Sequence, residues 1–219
     1  MSVKDLSELR QNYGKGSLLE QDLCDSPFTQ FSIWLERALT QEATEPYAMT
    51  LATANEQGRP HARTVLLRGA DESGFYFYTN YDSQKGQDLL ANPFAELLFF
   101  WPALEQQVRT SGQVYRVGEH ESTEYYHKRP RDSQIAAHIS TPQSGVIESR
   151  EILEQRFDAL NNRLQNHSLI AKPEFWGGYC LKPDYFEFWQ GRPNRLHDRL
   201  RYVKSEQHPN SWHIERLMP

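Results

Sequence analysis

The chain contains few of the residues that mark disulfide-rich and metal-binding proteins. Only two of its 219 residues are cysteines, Cys24 and Cys180, and they lie far apart in the sequence. A disulfide framework is therefore not expected, and no CxxC pair is present to bind zinc. The eight histidines lack HExxH or any other recognised ligand spacing, so we expect no metal.

Long apolar runs and an excess of positive charge are also missing. The longest apolar run, residues 97–101, ends at Pro102 and is too short to span a bilayer. Charged residues precede any apolar stretch at the N-terminus, so a cytoplasmic location without membrane association is expected. A formal net charge of −5 argues against a general nucleic-acid binder. The arginines cluster locally, near 129–131 and 195–201, which favours a small anion as the ligand.

The order of the apolar patterns predicts an α+β chain built around a small β-barrel of antiparallel strands. The polar first 27 residues, closed by Pro27, predict an N-terminal arm. Helices are expected at 29–42, from 82 or 83 to before Pro93, at 121–128 and at 150–164, with a break or restart at Pro130. Strands are expected at 48–53, 63–67, 75–79, 95–101, 106–117, 179–190, 200–203 and 212–216.

Near the C-terminus, an aromatic strand ending in Trp189 and Gly191 is followed by a short basic segment. If that segment is extended, Arg195, His197 and Arg199 lie on one face. An indole beside converging cations suits a planar, anionic, aromatic ligand, held by stacking and by guanidinium–phosphate bonds. The alternative is a solvated edge strand.

Two further groups of residues predict sites for phosphate. Arg63, Lys85 and the start of the helix near Ser83 form the first, because a helix N-terminus offers free N–H groups. Its alternative is an ordinary capped surface helix. Tyr125 and Arg129, four residues apart on one helical face, form the second together with Ser133 beyond the break. Its alternative is a surface helix end where arginine is favoured by the dipole.

Several motifs of the chain occur in one order that is typical of a known family. They are residues 63–67 (RTVLL), 77–80 (FYTN), 125–134 (YYHKRPRDSQ), 175–178 (FWGG) and 187–199 (EFWQGRPNRLHDR). From about Arg10 to its last residue, the chain resembles the pyridoxine/pyridoxamine 5′-phosphate oxidase family. The resemblance implies a split β-barrel and a homodimer with FMN between the two subunits.

The resemblance also implies roles for individual residues. FMN contacts are implied for Arg63, Thr64, Val65, Leu66, Leu67, Arg68, Tyr78, Thr79, Lys85, Gln107, Gln143, Ser144, Trp189 and Arg199. Substrate contacts are implied for Arg10, Tyr13, Arg68, Tyr125, Arg129, Ser133, Arg195 and His197. Arg195 and His197 are the candidate catalytic residues, placed near the flavin to position the substrate. An acid–base role of His197 is a hypothesis, since an unperturbed histidine titrates near neutral pH.

Three segments follow from the resemblance: an arm or lid (1–27), an FMN-binding core (28–172), and C-terminal strands that complete the barrel, the dimer interface and the active site (173–219). Trp176 and the two glycines after it are interpreted as structural. The chain departs from the family pattern at two positions. Arg68 replaces a lysine, and Gln84 replaces an arginine, which removes one cation from the region of the flavin phosphate.

The activity implied is oxidation of pyridoxine 5′-phosphate or pyridoxamine 5′-phosphate to pyridoxal 5′-phosphate, with O2 as acceptor and H2O2 as product. The amine would also release ammonia. One alternative is a different FMN-dependent oxidase of the same fold, as in phenazine pathways, which acts on an unphosphorylated tricycle. Another is a non-catalytic protein that binds pyridoxal 5′-phosphate, because weak flavin binding beside an intact substrate site would produce one.

Overall fold

The computed structural model describes residues 4–9, 12–41, 44–204 and 211–219, which form five α-helices and nine strands. The helices are α1 (Pro27–Gln41), α2 (Gln84–Ala91), α3 (Glu119–Lys128), α4 (Arg131–Ile139) and α5 (Arg150–Leu164). The strands are β1 (Ala48–Ala54), β2 (Pro60–Leu66), β3 (Gly69–Asp71), β4 (Gly74–Asn80), β5 (Phe94–Trp101), β6 (Gln106–Arg116), β7 (Trp176–Gln190), β8 (Asp198–Lys204) and β9 (Trp212–Arg216). None of the helices in these ranges is long and apolar enough to cross a membrane.

The strands are hydrogen-bonded in the order β2-β1-β5-β6-β7-β4-β3, with β8 on β7 and β9 on β8. The long strand β7 lies between β6 and β4 and also pairs with β8. Its first half pairs with β4, in a register that sets Tyr78 opposite Gly178. Its second half pairs with β8, setting Trp189 opposite Arg199. One strand therefore carries both the Trp176 motif and the Trp189 motif of the sequence.

The chain divides into two compact units. The first unit comprises Met1–Met49, Leu98–Thr110 and Asp184–Pro219. Its core is aromatic, because the apolar stripe of α1 packs on strand residues: Phe31 lies 4.9 Å from Phe99 and Trp34 lies 5.2 Å from Phe188, measured between ring centroids. Such rings bury large apolar areas, which stabilises the helix against the strands.

The second unit comprises Thr50–Leu97 and Ser111–Pro183. Its core includes a cluster of buried side chains from α3, α4 and the start of β7, centred on Tyr126, Ile135 and Trp176. Burial raises the pKa of Tyr126 to about 12, and the hydroxyl donates to the Gln134 carbonyl oxygen at 2.9 Å. The buried hydroxyl is thus satisfied by the first turns of α4.

The structure corrects the sequence interpretation around Arg195. Residues Pro193–Arg195 form a 3-10 turn, and strand β8 begins only at Asp198. Asn194 and Arg195 have φ values of 59° and 62°, in the left-handed region that an extended chain avoids. The prediction that Arg195, His197 and Arg199 share one strand face is therefore wrong, because a local turn sets the direction of the first two side chains.

Candidate functional site

The second unit contains a cavity of about 320 Å³ whose wall is strongly basic. It is lined by Arg63, Thr64, Val65, Leu66, Arg68, Tyr78, Thr79, Lys85, Tyr125, Arg129, Gln143 and Trp176. Among the described residues that line the cavity, four are cations and none is a carboxylate. Eleven of the twelve residues belong to the predicted cofactor and substrate sets, and the twelfth is Trp176. The chemistry of this cavity suits an anionic ligand.

Arg63 is held in the wall by oxygen acceptors on strand β1 and on its own strand, β2. Its Nη1 atom donates to the Leu51 carbonyl oxygen at 3.1 Å, to Thr53 Oγ1 at 2.7 Å and to the His61 carbonyl oxygen at 3.1 Å. Burial lowers the pKa of Arg63, while the nearby carboxylate of Asp88 raises it. The guanidinium remains charged, since arginine titrates far above neutral pH.

Lys85 reaches the same cavity from the first turn of α2. Ser83 caps this helix and its hydroxyl accepts from the backbone N–H of Gly86. The Lys85 ammonium donates to Thr79 Oγ1 and to Ser83 Oγ, each at 3.2 Å. Burial first, and then the positive charge of Arg63, lower the pKa of Lys85. A bound anion would raise the pKa of Lys85 again, because its negative charge compensates a desolvated cation.

An aromatic stack forms another side of the cavity. The rings of Tyr78 and Tyr125 lie 3.8 Å apart at 19°, and those of Tyr125 and Trp176 lie 6.2 Å apart at 4°. Arg129 lies over this stack, with its Cζ atom 4.6 Å from the centre of the Trp176 ring. Trp176, interpreted from the sequence as structural, therefore lines the site. The position of this indole depends on tertiary stacking, for which the WGG motif gave no signal.

Two polar atoms in this cavity are buried and lack a hydrogen-bond partner among the described residues. They are Nη1 of Arg129 and Oε1 of Gln143. Burial also lowers the pKa of Arg129. An unsatisfied buried donor costs free energy, so its retention at a basic cavity points to a ligand acceptor.

Three predicted residues of the second unit are near this wall in sequence but do not line it. Leu67 is buried directly after β2. Ser144 has a φ of 71° and accepts the backbone N–H of Gln84 at 3.3 Å. Ser133 is the third residue of α4 and is half-buried. The structure thus brings Tyr125 and Arg129 into one cavity, and the contact predicted for Ser133 stays a prediction.

The first unit holds a second group of predicted residues around an open cleft of about 840 Å³. Tyr13, Arg195 and His197 line this cleft. The ring of His197 lies 5.6 Å from that of Tyr13 and 4.8 Å from that of Trp189. Its Nδ1 atom accepts the backbone N–H of Arg192 at 3.1 Å, so the proton of the neutral ring lies on Nε2. Arg10 lies outside the described residues.

Arg199 is engaged by a buried carboxylate in the same unit. Its Nε and Nη2 atoms donate to the two oxygens of Glu187, at 2.9 and 3.0 Å. Glu187 also accepts from the Tyr185 hydroxyl at 2.9 Å. Gln107 lies half-buried on β6 and lines neither cavity. The described residues contain no group of three or more histidine, cysteine, aspartate or glutamate side chains placed to hold a metal ion.

Comparison with protein families gives two matches that together span most of the chain. Residues 35–163 match the family described as pyridoxamine 5′-phosphate oxidase. Residues 176–219 match the pyridoxine 5′-phosphate oxidase C-terminal dimerisation region. The second match covers β7, β8 and β9.

Curated relatives match over nearly their whole length. A pyridoxine/pyridoxamine 5′-phosphate oxidase of Acinetobacter baumannii (strain SDF) is 63% identical over 217 residues, covering 99% of this chain and 98% of the relative. One of the same name from Deinococcus deserti is 52% identical, covering 99% of this chain and 100% of the relative.

Among solved structures, PhzG from Burkholderia lata 383, in complex with tetrahydrophenazine-1-carboxylic acid, has a TM-score of 0.85 at 31% identity. The match covers 94% of this chain and 100% of that one. An FMN-binding protein from Nostoc punctiforme, described as pyridoxamine 5′-phosphate oxidase-related, shares the fold with a TM-score of 0.69 at 18% identity, covering 90% of this chain and 100% of that one. The predicted fold class, α+β with an antiparallel split β-barrel, is confirmed.

Proposed function

The chain belongs to the pyridoxamine 5′-phosphate oxidase family, and on that premise we propose that it oxidises pyridoxine 5′-phosphate and pyridoxamine 5′-phosphate to pyridoxal 5′-phosphate with FMN as cofactor. The curated relatives, at 50–63% identity, carry the name of this oxidase. The observation that carries the proposal is the cavity wall of four cations without a carboxylate, in which a guanidinium donor of Arg129 is left unpaired.

The residues present suit FMN. Arg63 and Lys85 are two adjacent cations beside a helix N-terminus, a combination that favours a phosphate monoester. The unpaired Gln143 oxygen is an acceptor for a ring N–H of a flavin. The chemistry that bound FMN supplies is removal of a hydride from the substrate carbon, followed by return of the electrons to O2.

The second phosphate, that of the vitamer, is assigned to Tyr125, Arg129 and Ser133. Arg129 is suited to this role because its guanidinium is supported by the Trp176 face rather than neutralised by an acid. Its N–H groups therefore remain directed at a ligand. Arg195 and His197 are assigned to positioning the reacting end of the substrate. In the geometry observed, His197 would present an Nε2–H donor, since its Nδ1 is occupied by the Arg192 N–H.

The overall reaction balances with O2 as the only oxidant. Pyridoxine 5′-phosphate loses two hydrogens and O2 becomes H2O2. Pyridoxamine 5′-phosphate loses two hydrogens in the same way, and water then replaces the nitrogen, which leaves as ammonia. We further infer a homodimer, supported by the dimerisation-region match at residues 176–219. A cytoplasmic location stays a prediction from the sequence.

A second candidate function is suggested by the match to PhzG, whose structure holds a tricyclic carboxylic acid. The Arg129 site favours the vitamer instead. A tricyclic carboxylate needs no separate site for a phosphate monoester, whereas this cavity presents Arg129 and Tyr125 in addition to the Arg63–Lys85 pair.

The proposal is tested by adding FMN to the purified protein and following pyridoxal 5′-phosphate and H2O2 from each vitamer phosphate under air. We expect both products in equal amounts. Flavin binding without product would favour a different substrate on this fold. Binding of pyridoxal 5′-phosphate without flavin would favour the non-catalytic binder.

Arg129→Ala tests the assignment of the substrate phosphate. The Michaelis constant for the vitamer phosphates should rise tenfold or more, because a charge-assisted hydrogen bond contributes about 1.5–3 kcal/mol, while the FMN content stays unchanged. Arg131→Ala is the matched control, since Arg131 donates to the carbonyl oxygens of Leu164 and His167 outside the cavity. Loss of FMN from Arg129→Ala would mean that the two phosphate sites are exchanged.

A further inference from the structure

A buried carboxylate lies directly behind the basic wall of the cavity. Asp88, on α2, is only 1% exposed and accepts three side-chain hydrogen bonds. The donors are Thr53 Oγ1 at 2.6 Å, His61 Nδ1 at 2.9 Å and Gln84 Nε2 at 2.9 Å. Burial opposes its ionisation, but these three donors together hold the pKa of Asp88 below its ordinary value. The carboxylate is thus charged at neutral pH, and none of the assigned roles uses it.

Asp88 is connected to Arg63 through one hydroxyl. The Thr53 hydroxyl proton is directed at Asp88, so the oxygen of the same group is left to accept from Arg63 Nη1 at 2.7 Å. The direct distance from Arg63 Nη2 to Asp88 Oδ2 is 3.7 Å, which is an ion pair but too long for a hydrogen bond. Asp88 therefore orients Arg63 without taking the two-pronged fork of the guanidinium.

These contacts use only part of the guanidinium of Arg63. In the described part of the chain, the hydrogen bonds of this side chain come from Nη1, to the three oxygens described above. The Nη2 and Nε groups are not drawn into a bidentate pair with the acid. A guanidinium fixed by one nitrogen and free to donate with the others is arranged for an incoming oxyanion.

We propose that Asp88 is a positioning residue for the cofactor phosphate: it orients the Thr53 hydroxyl, which fixes Arg63 in the direction that the phosphate of FMN needs. The inference rests on the proposed function, because it takes FMN as the ligand. It also gives a role to Gln84. Gln84 donates to the carboxylate of Asp88, four residues further along α2, and adds no cation to the site. Binding of the phosphate therefore depends more strongly on the orientation of Arg63.

A positioning role and a purely electrostatic role of Asp88 predict opposite effects on the affinity for FMN. As a negative charge near the phosphate, Asp88 weakens FMN binding, and its removal would tighten it. As the anchor of the Thr53–Arg63 arrangement, it strengthens binding, and its removal would weaken it. Our proposal requires that the positioning effect is larger. The direction of the change in Asp88→Asn therefore decides between the two.

The experiment titrates flavin-free protein with FMN, and separately with riboflavin, which has the same ring and no phosphate, by following the quenching of flavin fluorescence. Asp88→Asn and the near-isosteric Thr53→Val should each raise the dissociation constant for FMN about tenfold, the loss of roughly one hydrogen bond to a charged group. Riboflavin affinity should not change. Thr53→Ser, which keeps the hydroxyl, should behave like the wild type.

Asp158→Asn is the matched control, because Asp158 is exposed on α5. Unchanged or tighter FMN binding by Asp88→Asn would overturn the proposal, as would equal weakening of FMN and riboflavin, which would indicate a role in folding alone. Wild-type protein that binds no FMN would overturn the proposed function together with this inference. If Asp88→Asn does not fold, Thr53→Val carries the decision, since it changes no charge.

Discussion

At the scale of single residues, the cavity is distinguished by how its cations are supported. Arg129 lies over the face of Trp176 at 4.6 Å, and a cation–π contact of this kind contributes about 0.5–2 kcal/mol. A carboxylate partner would hold the guanidinium more firmly but would also compete with an anionic ligand for its donors. The aromatic face orients the cation and leaves its charge available.

Trp176 is therefore expected to affect substrate binding as well as folding. Trp176→Phe keeps an aromatic face and should raise the Michaelis constant for the vitamer phosphates only slightly. Trp176→Leu removes the face and should raise it about tenfold, the equivalent of roughly 1.4 kcal/mol. Both are compared by steady-state kinetics at a temperature where thermal melting shows each variant to be folded. Equal Michaelis constants for the two variants would contradict a role of the aromatic face.

At the scale of elements, the sequence predicted what periodicity and turn chemistry determine. The bounds of α5 and β9 agree with the structure, since apolar spacing and turn residues define both ends. The full helix α4 was not predicted, because Pro130 was interpreted as a break or restart and no helix was assigned after it, although proline is favoured at the start of a helix. The left-handed turn at Asn194 and Arg195 was missed because alternation of residue types does not report a local turn.

The same limit applies to the candidate site. The sequence motifs identified the cavity residues, since the charge and the hydrogen-bonding groups of each side chain are the same in any fold. They could not identify Trp176, whose role depends on ring stacking between β4, α3 and β7, nor Asp88, whose role depends on a hydrogen bond to a threonine 35 residues away. Contacts between distant segments have no signature in local spacing.

The N-terminal arm is another element whose behaviour depends on distant contacts. Glu105 Oε2 accepts the backbone N–H groups of Gly14 and Lys15, at 2.7 and 2.9 Å. Tyr13 then packs against Gly191, where an added Cβ atom would lie 2.8 Å from the tyrosine ring. Glycine is therefore required at position 191. The buried Glu105 carboxylate is thus one of the groups that hold this end of the arm beside the cleft of His197, together with the Ala103 carbonyl oxygen, which accepts from Lys15 Nζ at 2.6 Å.

Weakening this anchor should release the arm. In Glu105→Gln the acceptor loses its charge, which costs about 1.5 kcal/mol and raises the open population about tenfold. Trypsin should then cleave after Lys15 about tenfold faster, because limited proteolysis tracks the population of the open form. Cleavage is followed by mass spectrometry, with Glu56→Gln in an exposed turn as the control. An unchanged rate after Lys15 would show that Glu105 does not hold the arm.

At the scale of the whole molecule, each unit contains a buried carboxylate that forms an ion pair with an arginine. In the second unit this is Asp88, and in the first it is Glu187, which is 2% exposed. Burial opposes ionisation of Glu187, but hydrogen bonds from Arg199 and Tyr185 and the charge of Arg109 hold its pKa below the ordinary value. This net-acidic chain therefore buries carboxylates, and in its described part Asp88 and Glu187 are each compensated by hydrogen-bond donors.

These two groups should govern the response of the fold to acid. A carboxylate whose pKa is lower in the folded than in the unfolded state contributes stability that is complete above the unfolded value, about 3.9 for aspartate and 4.3 for glutamate, and is lost as the pH falls through the folded value. Asp88→Asn and Glu187→Gln should each lower the free energy of unfolding at pH 7, by about 1–3 kcal/mol or more, because buried donors lose their acceptor.

Below about pH 4 the wild-type protein should lose this advantage, so that its free energy of unfolding approaches that of the variants. The effects of the two substitutions should add, since the carboxylates belong to separate hydrogen-bond networks. Urea unfolding between pH 3 and 7, on the wild type, both single variants and the double variant, measures this directly. The free energies of unfolding of the wild type and the variants, plotted against pH, could instead stay parallel from pH 3 to 7. That result would show that neither carboxylate has a different pKa in the folded and unfolded states, because a group with the same pKa in both contributes no pH dependence.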